Sequence, residues 1–343
     1  MKTFGKILLA FLVAIIVLWQ LPWLAAFVGS KPSRHPFTVY SCMIQDFAMI
    51  DASGDELVYT DRQGRPYTEE QFDSILPLLY ARQLFSEGRF PTEIHGRPVR
   101  FQEAMRHDFF FRSSPRDINK VKPGIYFLLE SMSGRVDLEM PDDAFRINAR
   151  GIEFIDMETN TLKPEKSRIF TEMMKSKGFV FPARQIAGNP TAQKEYDEGY
   201  LLSDAEGRLY HLKMMRGTPY FRQIPLPEDV HPEYLFLTEV EARDMLGLFT
   251  DTRNRLYAIR MPGYSVQAID IPSFDPEKEN LSILGNLLDW TLTISSSDSV
   301  RYYAVETSGF SSLGRYSYAR ERSRIHGLCF TSSTDSYVKP RFY

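Results

Sequence analysis

Apolar and polar residues follow two different rhythms along this chain. From Ile7 to Gly29 the sequence "ILLAFLVAIIVLWQLPWLAAFVG" carries no charge. At ~1.5 Å rise per residue, a helix of that length crosses a ~30 Å hydrocarbon layer. Beyond it the pattern changes to short alternating runs. In "SDAEGRLYHLKM", residues 203–214, Leu209, His211 and Lys213 alternate with Tyr210, Leu212 and Met214, which is the period-two signature of a strand. Asp-x-x-Gly ahead of the run predicts a hairpin: Asp bonds its own backbone to start the turn, and Gly tolerates the left-handed conformation that ends it.

The same phrase recurs 47 residues later as "TDTRNRLYAIRM", residues 250–261, with Asp, Arg, Leu, Tyr and Met at the same five places. Fainter copies lie at 60–67 ("TDRQGRPY"), 155–162 ("IDMETNTL") and 301–306 ("RYYAVE"), with a last hairpin candidate at 327–341. A period of 40 to 50 residues filled by short strands suits the blade of a β-propeller. The strand-like runs "GFVFPARQI", "PYFRQI", "EYLFLTEV", "YSVQAIDI" and "DWTLTISS" supply the remaining blade members. Both sides of the repeat strand are apolar, as in a sheet covered on both faces. The expected body is therefore mainly β, a propeller-like ring of about six blades, within a range of five to seven.

The first third departs from the period. Thr68 and Gln71 form a capping box ahead of an apolar face made by Phe72, Ile75, Leu76, Leu79 and Leu84, with Gly88 as the stop and Pro77 as a kink. "RFQEAMRHDFFF", residues 100–111, reads as a second amphipathic helix and residues 113–124 as a loop. A helical insertion over about 68–112 thus replaces one repeat, either to dock a partner or to cover a propeller edge.

Residues 1–30 form a membrane anchor or signal, and residues 31–343 the body. The apolar run exceeds the core of an ordinary signal peptide, and Trp19 and Trp23 sit where an aromatic belt would lie, which favours an uncleaved anchor. Lys2 and Lys6 precede it, while Lys31 and Arg34 follow, so charge favours a cytoplasmic amino terminus only slightly. The body would then be extracytoplasmic. The whole chain has net charge −3, and setting the anchor's two lysines aside leaves the body more acidic, so neither nucleic acid nor anionic lipid is an expected partner of it.

Cys42 and Cys329 are the only cysteines. Outside the cytoplasm they could form one disulfide, stapling the first strand to the last blade across a loop for which chain entropy gives roughly 5 kcal/mol. Two buried free thiols are the alternative. His35, His95, His107, His211, His231 and His326 are scattered, without metal-ligand spacing. "SGFSSLG" lacks the Gly that a serine-hydrolase elbow needs after Ser311. Asp61, Asp156, Asp204 and Asp251 could line a propeller mouth as Ca²⁺ ligands or bases, yet their place ahead of the turn Gly or Asn favours a turn role, as for "DASGDE" from Asp51. "RYSYARERSR", residues 315–324, mixes basic and aromatic residues but reads as a solvated strand and turn on an acidic body. With tryptophan only at Trp19, Trp23 and Trp290, the blade-docking pattern of quinone-dependent propellers is missing. No cofactor is expected.

The anchor, the hairpins and the ending "SYVKPRFY" together resemble an uncharacterised family of bacterial envelope proteins. Its members have one amino-terminal membrane segment and a β-rich body, and are associated with genes for ABC-transporter ATPase and permease subunits. The resemblance implies a single-pass protein of the bacterial inner membrane with its body in the periplasm or extracytoplasmic space. It also implies a non-enzymatic accessory role beside a transporter, and it carries no catalytic residue across. The competing expectation is an exported propeller hydrolase or lactonase with a central divalent metal.

Overall fold

The computed structural model describes residues 2–29, 35–132, 134, 136–320, 327–332 and 334–342. His326 and the end of the basic stretch at 315–324 lie outside the described residues.

Four antiparallel sheets and one hairpin carry the body. Sheet I runs Phe37–Ser41, Asp46–Asp51, Val58–Asp61 and Pro66–Tyr67 in chain order. The hairpin, sheet II, pairs Asp143–Ile147 with Ile152–Asp156 and is widened by bridges Tyr126 to Phe145 and Ile155 to Leu162. Sheet III holds Gln185–Gly188, Tyr200–Ser203, Leu209–Met215 and Thr218–Ile224, and sheet IV holds Pro232–Leu237, Met245–Asp251, Leu256–Arg260 and Ser265–Ala268. Sheet V is built from Asn280–Gly285, Asp289–Ser295, Ser299–Glu306 and Ser312–Ala319, and takes Phe109–Ser113 as a fifth strand beside Asn280–Gly285.

These sheets stack face to face, and strand alternation is what makes that possible. In sheet III, Leu202, Tyr210 and Leu212 turn towards Phe145 and Phe154 of sheet II, whereas Leu201 and Leu209 turn towards Phe249, Tyr257 and Ile259 of sheet IV. The opposite face of sheet IV, with Leu248, Leu256 and Ala258, meets Leu281, Ile283, Trp290 and Leu292 of sheet V. Sheet V then meets sheet I through Val300, Tyr302 and Ala304 against Tyr40, Phe47 and Met49. The packing order II–III–IV–V–I is that of a propeller-like body, with sheet I reached last although it comes first in the chain.

Among the described residues five such sheet units are present, within the expected range of five to seven. The two ends of the body meet by packing of sheet I on sheet V, and not by a first strand completing the last blade, because Phe37–Ser41 pairs within its own sheet. The far face of sheet I, with Val39 and Ala48, is covered by Phe72 of the helix Glu69–Ile75 and by Leu76 just after it; among the described residues no apolar cluster joins sheets I and II.

Helix α1, Lys2–Gly29, contains a 23-residue segment, Thr3–Ala25, with mean hydropathy 2.5. It is long and apolar enough to cross a membrane. The inserted segment is three short helices, α2 (Glu69–Ile75), α3 (Ala81–Ser86) and α4 (Phe101–His107), with a small hairpin at Glu93–Ile94 and Arg97–Pro98. Both capping-box bonds of Thr68 and Gln71 are present. Pro77 falls in the break between α2 and α3 and so divides the expected helix in two. The expected helix at 100–111 ends at His107, and Phe109–Ser113 is strand. Three consecutive phenylalanines favour a pleated, half-buried surface over a continued turn of helix. A one-turn helix, α5 (Pro115–Ile118), falls in the expected loop. Helix α6, Pro164–Ser176, was not foreseen; it lays Phe170 and Met174 on sheet II beside Phe154. The expected strand from Gly178 is confined to Gln185–Gly188.

The repeated phrase folds as a buried clasp. In sheet IV, Asp251 is 1% exposed; its Oδ1 accepts the backbone N–H of Arg253 at 2.9 Å and of Arg255 at 2.8 Å. Its Oδ2 accepts Arg255 Nε at 2.7 Å and the Tyr257 hydroxyl at 3.3 Å, while Asn254 takes φ 60° at the turn. Asp61 makes the same set with Gln63, Arg65 and Tyr67, and Asp204 makes it with Glu206 and Arg208 but without the tyrosine bond, the Tyr210 hydroxyl having no hydrogen-bond partner. Burial alone would raise the Asp61 and Asp251 carboxyls, but the bonds from Arg65 and Arg255 outweigh it and hold both below the usual carboxylate range. Asp156 makes the open version: it accepts from Glu158 and Thr159 but is not sealed in.

Replacing Asp251 by Asn leaves Arg255 Nε and the Tyr257 hydroxyl facing an amide donor. Urea unfolding of Asp251→Asn is expected to show a loss of about 2–4 kcal/mol at neutral pH, with Asp156→Asn much milder. A carboxyl lowered by folding stabilises above its unfolded value and loses that contribution as pH falls through the folded one, so the gap between wild type and Asp251→Asn should begin to narrow below about pH 4 and keep narrowing as pH falls. An equal gap at pH 3 and pH 7 would refute the clasp.

Candidate functional site

Where the repeat breaks, the chain builds a belt of cavities along α4 and the strand that follows it. Phe101 at the head of α4 stacks on Phe85 of α3 with ring centroids 4.1 Å apart, and Phe90 meets Phe101 edge-on at 5.8 Å. Ala104 of α4 is buried with Leu78, Ile94 and Val99, which seats the helix. At its end, His107 Nδ1 bonds the Glu103 carbonyl at 2.8 Å, and its Nε2 lies 3.7 Å from Asp244. The N–H of Ala242 donates to the Arg106 carbonyl at 2.9 Å, tying α4 to the loop after the first strand of sheet IV.

The following strand is clamped by its rings. Phe109 meets Trp290 edge-on at 5.1 Å, and Phe111 meets Phe236 at 5.6 Å. Phe109 pairs with Gly285, where a Cβ would come 2.0 Å from the Phe109 ring, so only glycine lets this strand approach.

Three cavities follow this path. The largest, about 990 Å³, opens between α3 and α4 and is lined by Phe85, Phe90, Phe101, Arg100, Arg106 and Ala242. Phe85 is 55% exposed there. A smaller one of about 140 Å³ lies between His107, Phe109, Asp244, Arg260 and Trp290. The third, about 370 Å³, is bounded by Phe109–Phe111, the loop from Asn189 to Tyr196, and residues 237–240.

A charged network supports the wall of the third cavity. Lys194 Nζ donates to Asp197 Oδ1 at 2.6 Å, to Glu239 Oε1 and Oε2 at 2.6 and 2.7 Å, and to the Asn189 carbonyl at 2.6 Å. Burial pushes the Asp197 carboxyl up to about 6. Nearby His211 is sealed between the Tyr264 hydroxyl, 2.7 Å from Nδ1, and the Glu198 carbonyl, 2.5 Å from Nε2. Burial pulls it down to about 3, so it is a neutral core histidine.

The residues singled out in the sequence do not converge on this belt, His107 excepted. Cys42 and Cys329, the candidates for a disulfide, are both free thiols in this structure. Cys42 follows the first strand of sheet I, where burial, with the nearby Asp289 carboxylate adding to it, pushes its thiol up to about 12. Cys329 sits in a hairpin of Leu328–Cys329 with Arg341–Phe342, whose neighbour Phe330 packs edge-on against Trp19 of α1. Asp61, Asp204 and Asp251 are spent in their clasps. Ser311 donates to Glu306 at 2.8 Å, as does Ser308 at 2.6 Å, in an exposed turn. His95 bonds the Cys42 carbonyl at 2.6 Å, His35 packs on the Tyr318 ring, and His231 is exposed. Among the described residues no group of three or more His, Cys, Asp or Glu is placed to hold a metal ion. Thr238, Glu239, Lys194 and Phe110 escaped the sequence reading, and only the triple phenylalanine run could have pointed to them.

The family profile of a domain of unknown function, DUF4857, matches residues 37–305. The chain belongs to the DUF4857 family. The match runs from the first strand of sheet I into sheet V and includes the whole inserted segment. No curated protein matches this DUF4857 chain in sequence. Among solved structures it is similar to PorZ, a bacterial surface component of the type-IX secretion system of Porphyromonas gingivalis, at 12% identity and a TM-score of 0.26, over 85% of this chain and 28% of that one. It is also similar to the Dos1 propeller, at 12% identity and 0.30, over 56% and 46%. The Swd1 propeller domain of Myceliophteria thermophila follows at 9% and 0.28, over 81% and 67%. The DUF4857 chain thus spans less than half the length of the first two, and its fold rests on the sheet packing described above.

The two thiols provide a check on this geometry. With the intact protein at neutral pH, maleimide is expected to modify Cys329 and to spare Cys42, whose high pKa keeps it from the reactive thiolate form. Mass mapping that found Cys42 modified first, or the two joined, would overturn the placement.

Proposed function

We propose that this DUF4857 protein is a membrane-tethered, non-enzymatic binding subunit whose groove between α3 and α4 receives an apolar segment of a membrane-protein partner. The observation that carries the reading is the cavity of about 990 Å³ with the Phe85–Phe101 stack at its mouth. Apolar rings left open in a concave site are a recurrent mark of binding surfaces. Arg100 and Arg106 at the rim suit a partner segment flanked by acidic residues.

Helix α1 supports tethering, and the resemblance to envelope proteins encoded beside ABC transporters makes a permease subunit the partner proposed, with the body outside the cytoplasm and the anchor in the inner membrane. The rival reading, an exported hydrolase or lactonase with a central divalent metal, needs a ligand set that the described residues do not assemble.

Photo-crosslinking in native membranes tests this. Benzoylphenylalanine in place of Phe85 is expected to yield one discrete adduct with a membrane protein. The same probe at Arg150, in the exposed turn of sheet II, is expected to give none, and an Arg100→Glu change should suppress the Phe85 adduct. No adduct at Phe85, or equal adducts at both positions, would rule the groove out.

A further inference from the structure

Beyond that groove, we propose that the separate cavity of about 370 Å³ between Phe109–Phe111 and the loops after the first strands of sheets III and IV binds a neutral carbohydrate. Its size falls in the range of small-molecule sites. The strand Phe109–Ser113 is the outermost of sheet V and has one neighbouring strand only, so its rings reach the cavity at a free edge. Phe109 and Phe111 are fixed by Trp290 and Phe236, while Phe110 is 67% exposed and free to take a ligand on its face.

The polar side of the cavity selects the chemistry. Thr238 is 7% exposed, and its hydroxyl has no hydrogen-bond partner in the protein. A buried hydroxyl left unpaired costs about 1–3 kcal/mol, which a ligand hydroxyl would recover. The charges, by contrast, are spent on one another. Lys194 is held by Asp197, Glu239 and the Asn189 carbonyl, and the two Glu239 oxygens already accept from Lys194, from the Glu198 N–H at 3.0 Å and from Asn189 Nδ2 at 3.0 Å. Among the described lining residues no ion is left for an anionic or cationic ligand to pair with. What remains is neutral: the unpaired Thr238 hydroxyl in the wall, and Gln193 on the facing loop. A sugar ring, with C–H groups on its face and hydroxyls at its edge, matches an aromatic wall opposite neutral donors and acceptors.

The test uses the full chain in mild detergent. N-acetylglucosamine, maltose and cellobiose are titrated by saturation-transfer NMR and calorimetry, with inorganic phosphate and tetramethylammonium as charged probes. At least one saccharide is expected to bind, with affinity falling about tenfold or more in both Thr238→Val and Phe110→Ala and unchanged in Phe85→Asp, which alters the other groove. Thr238→Val removes an unpaired hydroxyl, so its melting temperature should equal or exceed that of the wild type. Failure of all three sugars to bind, binding that both variants retain, or preferential binding of a charged probe would overturn the proposal while leaving the crosslinking result at Phe85 unaffected.

Discussion

A carboxylate sealed inside a hairpin turn is the constraint on which this fold depends. Each repeat strand must present apolar residues to two neighbouring sheets at once, which leaves no polar face to mark its register. The Asp-x-x-x-Arg-x-Tyr clasp supplies that mark. Asp251 binds two turn amides, the guanidinium of Arg255 and the hydroxyl of Tyr257, so a slip of one residue would bury an unpaired charge. Asp61 repeats the full clasp in sheet I, and Asp204 repeats its turn amides and arginine, without the tyrosine bond, in sheet III.

With register fixed, the faces follow. Leu209 and Tyr210 are neighbours in sequence but belong to different clusters, one shared with sheet IV and the other with sheet II. The same division in sheets IV and V carries the stack round to sheet I. There it stops, because α2 occupies the face that a further blade would cover. The break in the repeat and the gap in the packing are one feature seen in sequence and in space.

Much of this was legible from the chain. Asp, the turn Gly or Asn and the alternating run gave the hairpins; Thr68 and Gln71 gave the start of α2; the uncharged stretch gave α1. The turn role of the aspartates was also legible, but the reason Arg and Tyr recur with them was not, since it depends on side chains folding back across the turn. Period alone leaves the number of blades as a range, because a stretch without the repeat can hold a blade of different wording or helices such as those at Glu69–Ile75 and Ala81–Ser86. Helix α6 was hidden by a weak apolar face of Phe170 and Met174. The local pattern carries the helix expectation on to Phe111, because the sheet partner of Phe109–Ser113, Asn280–Gly285, lies far along the chain and fits only because Gly285 lacks a Cβ.

The candidate sites were the least legible part, and for a physical reason. The clasp and the two-faced packing consume the polar residues that recur, so any residue visible through the repeat is committed to structure. What remains for binding is what does not recur: the Phe85–Phe101 stack, the Phe110 ring and the Thr238 hydroxyl. All four lie on or against the inserted segment, where a sheet ends without a neighbour and its edge is turned towards loops of sheets III and IV. In a body whose sheet faces are taken up by packing among the described residues, the interrupted repeat is the place where apolar rings stay exposed and a hydroxyl stays unpaired without disturbing the stack.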